Sequence, residues 1–471
     1  MIRADDARAC ELGERLLETL GLSGAAMPAV RIEGTDFAAT GPHRLATASA
    51  VALGTVGAAI AQVWRARTGR DQVVRVEAGR ALQALRCFLY VTQNGYPLGI
   101  PIHAPLASFN RTRDGRHIYI AGLHALPHFL DGALDLLQCA NTEASVAAAL
   151  NRWDGFALEE ALAARRIPSG VVRSEAEWRA HPQGQWLAGR PVVEIEKIGE
   201  SPAEPLGAAE RPLSGIRVLD MTHVICGPML SRTLAEQGAD VLHVGSPGER
   251  DAEPIVIDTG WGKRSAYADL DREGDPERLR ELLRGADFFV QSWRPGALDR
   301  HGLAPAQAAA IRPGLIYVSV SCYGYGGPWG SRGGYDPTAQ AVTGIALEES
   351  FGGRPRQART LTINDYLAAY LGAAGALAAL LKRAREGGSY HVKVALCGSS
   401  MWLQQFGRIE GSAQYAGRAW EEPVVPEFVS AQSAYGVIRS LRPPIEYSET
   451  PARWERAPEP PGASPLAWLP R

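Results

Sequence analysis

The chain has 471 residues and 46% hydrophobic content, enough for two or three domains that each bury a core without a disulfide or metal staple. Its 49 basic and 51 acidic residues are well mixed and leave a net charge of -2, so no basic field exists to track a phosphate backbone, which argues against nucleic acid as a partner. The six cysteines (Cys10, Cys87, Cys139, Cys226, Cys322, Cys397) form no C-x-x-C pair, which argues against a disulfide framework and a structural zinc site and fits a reducing cytoplasm.

The N-terminus, MIRADDARACELGERL, is charged and lacks the apolar core of a signal peptide. Residues 1–20 predict an amphipathic helix through Ala9, Leu12, Leu16, Leu17 and Leu20, followed by an irregular segment that completes a first unit, 1–44. A helix from Thr47 to Arg67 stops at Gly69, and VVRVEAGRALQALRCFL supplies a strand and a helix before a Gly- and Pro-containing loop, giving a unit at 45–112. Residues 113–198 predict a small α+β domain, from the strand HIYIAGL to the strand VVEIEKI. GESPAEPLGAAERP, 199–212, is a linker without periodicity.

From Leu213 short apolar strands (IRVLDM, DVLHVG, DFFVQSW, LIYVSVSCYG) alternate with helical patterns, which predicts a doubly wound parallel sheet of the Rossmann-like kind over 213–400. A polar, Pro-rich segment, 401–471, returns to this domain and ends the chain. The fold class is therefore α/β, a doubly wound parallel domain plus a smaller α+β domain.

One stretch occurs twice. TASAVALGTVGAAIAQVWRARTGRDQVVRV, from Thr47, aligns without a gap on the stretch from Asp365 at an offset of 318, with 12 of 30 positions identical, among them Gly54/Gly372, Gly57/Gly375, Arg65/Arg383 and Val76/Val394. Where the second copy has Asp365 the first has Thr47. Both copies hold apolar runs, Thr47–Trp64 and Tyr366–Leu381, rich in Ala and Gly; a membrane span needs roughly 20 strongly apolar residues, so buried helix is the expectation and no membrane partner is implied.

Several motifs stand where parallel sheets bind ligands, each with a plain structural alternative. DMTHVICGPMLSRTL follows the first strand of the parallel unit but has one glycine, Gly227, and no G-x-G-x-x-G, which weighs against NAD or FAD. QSWRPGALDRHG follows a later strand: Trp293 suits stacking on a purine, and Arg294 and Arg300 suit phosphates, while a half-buried Trp with solvated arginines is the alternative. Lys263 and Arg264 read as a solvated turn. Asp365 at a helix start is by default a capping carboxylate.

Taken together, PLSGIRVLDMTHVICGP, EQGADVLHVGSPGERD, GKRSAYADL, VQSWRPGALDRHGL, RPGLIYVSVSCYGYGGPW and GGYDPTAQAVTGI resemble, in order, the motifs of the class III CoA-transferases and the related α-methylacyl-CoA racemases. The resemblance implies coenzyme A, carried as acyl-CoA, as substrate and no metal. It puts Asp365 on the catalytic aspartate and His223, Val224, Arg264, Ser292, Trp293, Arg300 and Tyr325 on or near CoA contacts. Ser292 and Trp293 replace the commoner Asn-Phe pair, and Gly245 and Ser246 stand where an acid and an arginine are frequent.

The first half resembles other parts of the same family: 47–86 the aspartate helix and following strand without the aspartate, 114–198 the small domain, and the segment from Gly436 the ending that follows it. This implies a rearranged fusion of two partial copies, a pseudo-dimer in one chain with one complete composite site and homodimerisation of the whole chain left open. The implied reaction moves CoA from an acyl-CoA donor to a carboxylic acid acceptor through an Asp365 mixed anhydride and an aspartyl-CoA thioester, with glycine loops at Gly99–Ala104 or Tyr323–Gly327 as oxyanion donors. A racemase needs a histidine before the aspartate of its G-x-D element, where this chain has Tyr335. Isomerase or lyase variants, a CoA-binding protein without catalysis and a nucleotide-dependent oxidoreductase are the alternatives.

Overall fold

The computed structural model of the chain describes residues 2–24, 28–99, 104–122, 126–248, 251–415 and 418–470. Seven strands form its main sheet, in the spatial order Lys263–Tyr267, Asp240–Gly245, Arg217–Met221, Phe288–Gln291, Ile316–Ser321, Ser389–Ala395 and Val193–Gly199. The first six run parallel, and Val193–Gly199 closes the edge antiparallel. Both faces are buried, which is why these strands are almost continuously apolar. Val218, Phe288 and Val318 point into one core, and their neighbours Leu219, Phe289 and Tyr317 point into the other.

Strand order reverses between Arg217–Met221 and Phe288–Gln291, so the chain leaves these two neighbours in opposite directions. A crevice opens at their carboxyl ends, the usual ligand position in an open parallel sheet.

Two expectations change. Val193–Gly199, read as the last strand of the small domain, belongs to the large sheet, because Val193 packs on Gly375 of the long helix Ile363–Glu386. The segment before Arg44, read as irregular beyond its first helix, supplies the strand Val30–Glu33, and Ile2–Arg3 pairs beside it. The small unit keeps a three-stranded antiparallel sheet (Asn110–Arg111, His117–Ile120, Ser169–Val171) under the helices Pro127–Leu137, Glu143–Leu150 and Gly155–Ala164.

The duplicated sequence is duplicated in space. Ile2–Arg3, Val30–Glu33, Val74–Glu77 and Ile445–Tyr447 form a four-stranded sheet with the order and directions of the last four strands of the large one. Register agrees as well: Val30 lies opposite Val74 and Ile445 opposite Val76, as Val318 lies opposite Val392 and Val193 opposite Val394. The helices Leu45–Thr68 and Ile363–Glu386, 24 residues each, pack on one another between the two sheets. They are long and apolar enough to cross a membrane, yet 94% and 89% of their apolar windows are buried inside the fold.

The glycines of these helices are cut for that packing. A Cβ on Gly57 would lie 2.4 Å from Val74 Cγ1 and 3.3 Å from Ile445 Cγ2; one on Gly375 would lie 2.9 Å from Val392 Cγ1 and 2.5 Å from Val193 Cγ1. The segment 401–471, expected to return to the large domain, serves both halves: Phe428–Ser433 and Gly436–Leu441 form a sheet with Thr92–Gln93 and Tyr96–Pro97, and Ile445–Tyr447 joins the first-copy sheet. Its end straps the large unit, with the Arg453 N–H donating to the Glu236 carbonyl and Trp468 Nε1 to the Leu282 carbonyl.

Gly57→Val and Gly375→Val should each destabilise the protein by about 1–3 kcal/mol through overpacking. Gly207→Val, at a position with no atom within 4 Å of the added carbon, should leave the thermal unfolding midpoint unchanged in differential scanning calorimetry.

Candidate active site

The turn after Met221 runs through Thr222–Ile225 into the helix Cys226–Ala235, and it is tied to the neighbouring strand end by the His223 N–H, which donates to Ser292 Oγ at 3.2 Å. Trp293 stands edge-on to His223 with ring centroids 5.6 Å apart. Val224 has φ +66°, a left-handed conformation costly for a β-branched residue, and Asp251 Oδ2 accepts its N–H at 2.7 Å. Lys263 fixes the turn from beneath, its buried ammonium donating to the Pro228 carbonyl at 2.6 Å and to Asp220 at 3.0 Å.

At the start of the Ile363–Glu386 helix, Asp365 is not the cap. Asp336 does that work from another segment: its Oδ2 accepts the N–H groups of Asn364 and of Asp365, the latter at 3.0 Å, and its other oxygen accepts from Gln340. The Asp365 side chain is thereby released from its own helix end. It is 6% exposed and accepts no hydrogen bond among the described residues.

Two buried carboxyl groups so close cannot both ionise cheaply. Burial, and then the Asp336 charge, push Asp365 well above the ordinary carboxylate range, while burial pushes Asp336 up to about 7 against its three hydrogen bonds. Asp336 has hydrogen-bond donors for its anion and Asp365 has none among the described residues, so of the two Asp336 is the better placed to carry the charge. The thiols of Cys226 and Cys322 are also pushed up by burial, Cys226 then by Asp365 and Asp336, and Cys322 by Cys397 ahead of the two acids.

Asp365 lies in the wall of a cleft of about 780 Å³, a volume suited to a small-molecule ligand. One side is the large unit, with His223, Val224, Cys226, Ser292, Trp293, Cys322, Gly333, Gly334 and Tyr335. The other is the small unit, with His128, Phe129, Arg166 and Pro168. Among the described residues no group of three or more His, Cys, Asp or Glu is arranged to hold a metal.

Of the eight residues singled out from sequence, Asp365, His223, Val224, Ser292 and Trp293 thus converge on one cleft. Three do not line it. Arg264 lies mid-strand, and its guanidinium reaches back to Asp240 at 3.0 Å and to the Ala467 carbonyl, toward the amino end of the sheet. Arg300 is exposed, with Asp271 at 3.4 Å. Tyr325 packs on His391 and its hydroxyl takes a 2.6 Å hydrogen bond from Gln291; Gln291 Oε1 in turn holds the Trp293 N–H at 2.7 Å. Its effect on the cleft passes through Gln291.

Of the two glycine loops, 100–103 lies outside the described residues, and Tyr323–Gly327 packs on Trp186 and Gln183. Neither loop supplies a glycine to the cleft wall among the described residues; Gly132, Gly248, Gly333 and Gly334 do. Thr47 lines no such space: its hydroxyl donates to Asp36, which also accepts from Arg44 Nε at 2.9 Å.

Sequence reasoning missed Asp336, although Gly34-Thr35-Asp36 ahead of the first copy's helix matches Gly334-Tyr335-Asp336 ahead of the second, and Asp36 accepts the Thr47 N–H as Asp336 accepts that of Asp365. The small-unit residues carried no signal, since His128, Phe129 and Arg166 sit in ordinary helix and turn sequence.

The architecture is that of an α/β unit with its crevice at the switch point of the sheet, and residues 213–424 match the family model for CoA-transferase family III. Through this unit the chain is similar to that family. It is 31% identical over 323 residues to the acetyl-coenzyme A transferase nodX of Hypoxylon pulicicidum, covering 64% of this chain and 54% of that one. It is 33% identical over 208 residues to the acetyl-CoA:oxalate CoA-transferase of Acetobacter aceti, covering 42% and 52%. A crystal structure of a CAIB/BAIF family protein from Brucella suis is similar at 26% identity and a TM-score of 0.38, covering 49% of this chain and 65% of that one. The chain spans about half the length of the curated relatives it matches.

A carboxyl whose pKa is raised on folding contributes its full stability below the unfolded value, near 4, and loses it as pH rises toward the folded value. Asp365→Asn, which cannot ionise, should therefore unfold at a higher temperature than the native chain, with the gap widening between pH 5 and pH 8 in thermal melts.

Proposed function

We propose that the protein is an acyl-CoA:carboxylate CoA-transferase in which Asp365 is the nucleophile. The observation that carries this reading is the carboxyl group itself: released from helix capping by Asp336, unpaired, and facing a cleft between two units. A carboxylate is a weak nucleophile but, once acylated, a good leaving group, which suits a shuttle between acid and thioester.

In the first step the Asp365 carboxylate attacks the thioester carbonyl of the donor acyl-CoA and CoA thiolate leaves, giving a mixed anhydride. The thiolate then attacks the aspartyl carbonyl and expels the donor acid, leaving an aspartyl-CoA thioester. The acceptor carboxylate attacks that thioester and frees the thiolate, which attacks the acceptor's acyl carbonyl; product acyl-CoA departs and the carboxylate is restored. His223, Val224, Ser292 and Trp293 are assigned to the CoA moiety, with Trp293 offering a ring face for stacking.

Burial and the neighbouring Asp336 raise the pKa of Asp365, so the protonated fraction, which cannot attack, grows as pH falls. Thr47 has only a hydroxyl and forms no acyl anhydride, so the duplicated position is read as a lost site. The matching strand registers and the composite cleft support a fusion of two partial copies with one site per chain.

Incubation with a panel of acyl-CoA donors and hydroxylamine should give a hydroxamate on the Asp365 peptide by mass spectrometry, absent in Asp365→Asn. CoA binding without adduct or exchange across a broad panel would make the chain a binding protein only. In active preparations kcat/KM should rise with pH as Asp365 ionises, above the ordinary carboxylate range, and titration calorimetry should count one CoA per chain; two per chain would end the lost-site reading.

A further inference from the structure

The charges around the cleft do not balance. Four arginines line it, and two are paired outward: Arg165 with Asp135 and Arg332 with Glu160, both at 2.6 Å. Arg294 and Arg166 have no carboxylate partner among the described residues. The lining carboxyl groups besides Asp365 reduce to Asp251, which is engaged with the Val224 N–H.

Arg294 is the fixed member of this pair. Its Nη2 donates to the Arg166 carbonyl at 2.7 Å, across the junction between the large and small units. Its guanidinium lies on Gly333, where a Cβ would come within 2.5 Å of Nε, and its other side faces the Phe129 ring at 5.7 Å. Nε and Nη1 keep no protein acceptor among the described residues. Arg166 adds a second, exposed guanidinium at the rim, held by a backbone with φ +60°. Half-buried and next to another cation, Arg294 is an uncompensated charge whose pKa is driven down by burial and by Arg166. Such a charge is stabilised by an incoming oxyanion in a charge-assisted, fork-shaped contact.

The position within the cleft narrows the ligand. Gly333, on which Arg294 rests, lies three residues before Asp336, whose carboxylate holds the Asp365 N–H. Arg294 is thus anchored to the segment that sets the reacting carboxyl. We infer that Arg294, assisted by Arg166, binds a carboxylate at the far end of the substrate's acyl group, so that the preferred acyl-CoA is that of a dicarboxylic acid. This rests on the CoA-transfer reading above. The same oxyanion chemistry would be satisfied by a phosphate of CoA, and the experiment separates the two.

The test measures binding in an Asp365→Asn background, so that no chemistry intervenes, by titration calorimetry with CoA, butyryl-CoA and succinyl-CoA, which differ in the distal carboxylate. With Arg294 intact, succinyl-CoA should bind more tightly than butyryl-CoA. Arg294→Gln should weaken succinyl-CoA by about 10–100-fold, the scale of one charge-assisted contact, and leave CoA and butyryl-CoA unchanged. Arg166→Ala, at an exposed position that does not endanger folding, should weaken succinyl-CoA by a smaller factor. An equal loss for all three ligands would overturn the dicarboxylate inference and assign Arg294 to a CoA phosphate. Equal affinities in both variants and the parent, with CoA still bound, would remove Arg294 from ligand binding while sparing the transfer reading. A chain that binds none of the three would overturn both.

Discussion

The site depends on one arrangement: the Asp336 carboxylate accepts the backbone N–H groups at the start of the Ile363–Glu386 helix. An acidic residue in the first turn of a helix normally spends its charge on those amides. With Asp336 already there, Asp365 has neither an amide to turn to nor a counter-ion among the described residues, and its side chain lines the cleft. The two carboxyl groups then compete for one negative charge, and the one with hydrogen-bond donors keeps it.

The duplicated half shows what happens when the same motif has a counter-ion. Asp36 also accepts the N–H at the start of its helix, but Arg44 pairs with it and with Asp6, and the neighbouring position is Thr47. Asp36 thus has a cation at hand, and Thr47, buried, gives it a hydroxyl hydrogen bond instead of a second carboxylate. At Asp336 the corresponding neighbour is Gln340, a neutral donor, so the electrostatic pressure passes to Asp365. One carboxylate with an arginine builds a closed helix start; the same carboxylate without one builds a reactive neighbour. The cost appears as a destabilising buried acid pair and a strained Val224, both at the cleft, where such costs tend to gather.

Packing holds this arrangement still. The two long helices meet between two sheets of matching register, and their glycines let valines of the underlying strands approach where a side chain would collide. The small unit then meets the large one across the cleft through the Arg294–Arg166 contact, so both walls come from a single chain.

Much of this was legible in the chain itself. Alternating apolar strands and helices announced the doubly wound sheet, the offset of 318 announced the repeat, and Asp365, His223, Val224, Ser292 and Trp293 were singled out by the resemblance of the motifs that hold them to those of the class III CoA-transferases. Arg264 and Arg300 looked equally placed, yet strand direction and a local acid turn them elsewhere, and no one-dimensional pattern records which end of a strand a long side chain reaches. Likewise, Val193–Gly199 reads as a strand wherever it lies, and only its contact with Gly375 put it in the large sheet. Sequence alone determined the elements, the repeat and the acid at the helix start, because propensity and periodicity act locally. Tertiary structure alone decided that Asp336 caps that helix and that Arg294 stands without a counter-ion among the described residues, because capping across segments and charge balance depend on which distant groups fold into reach.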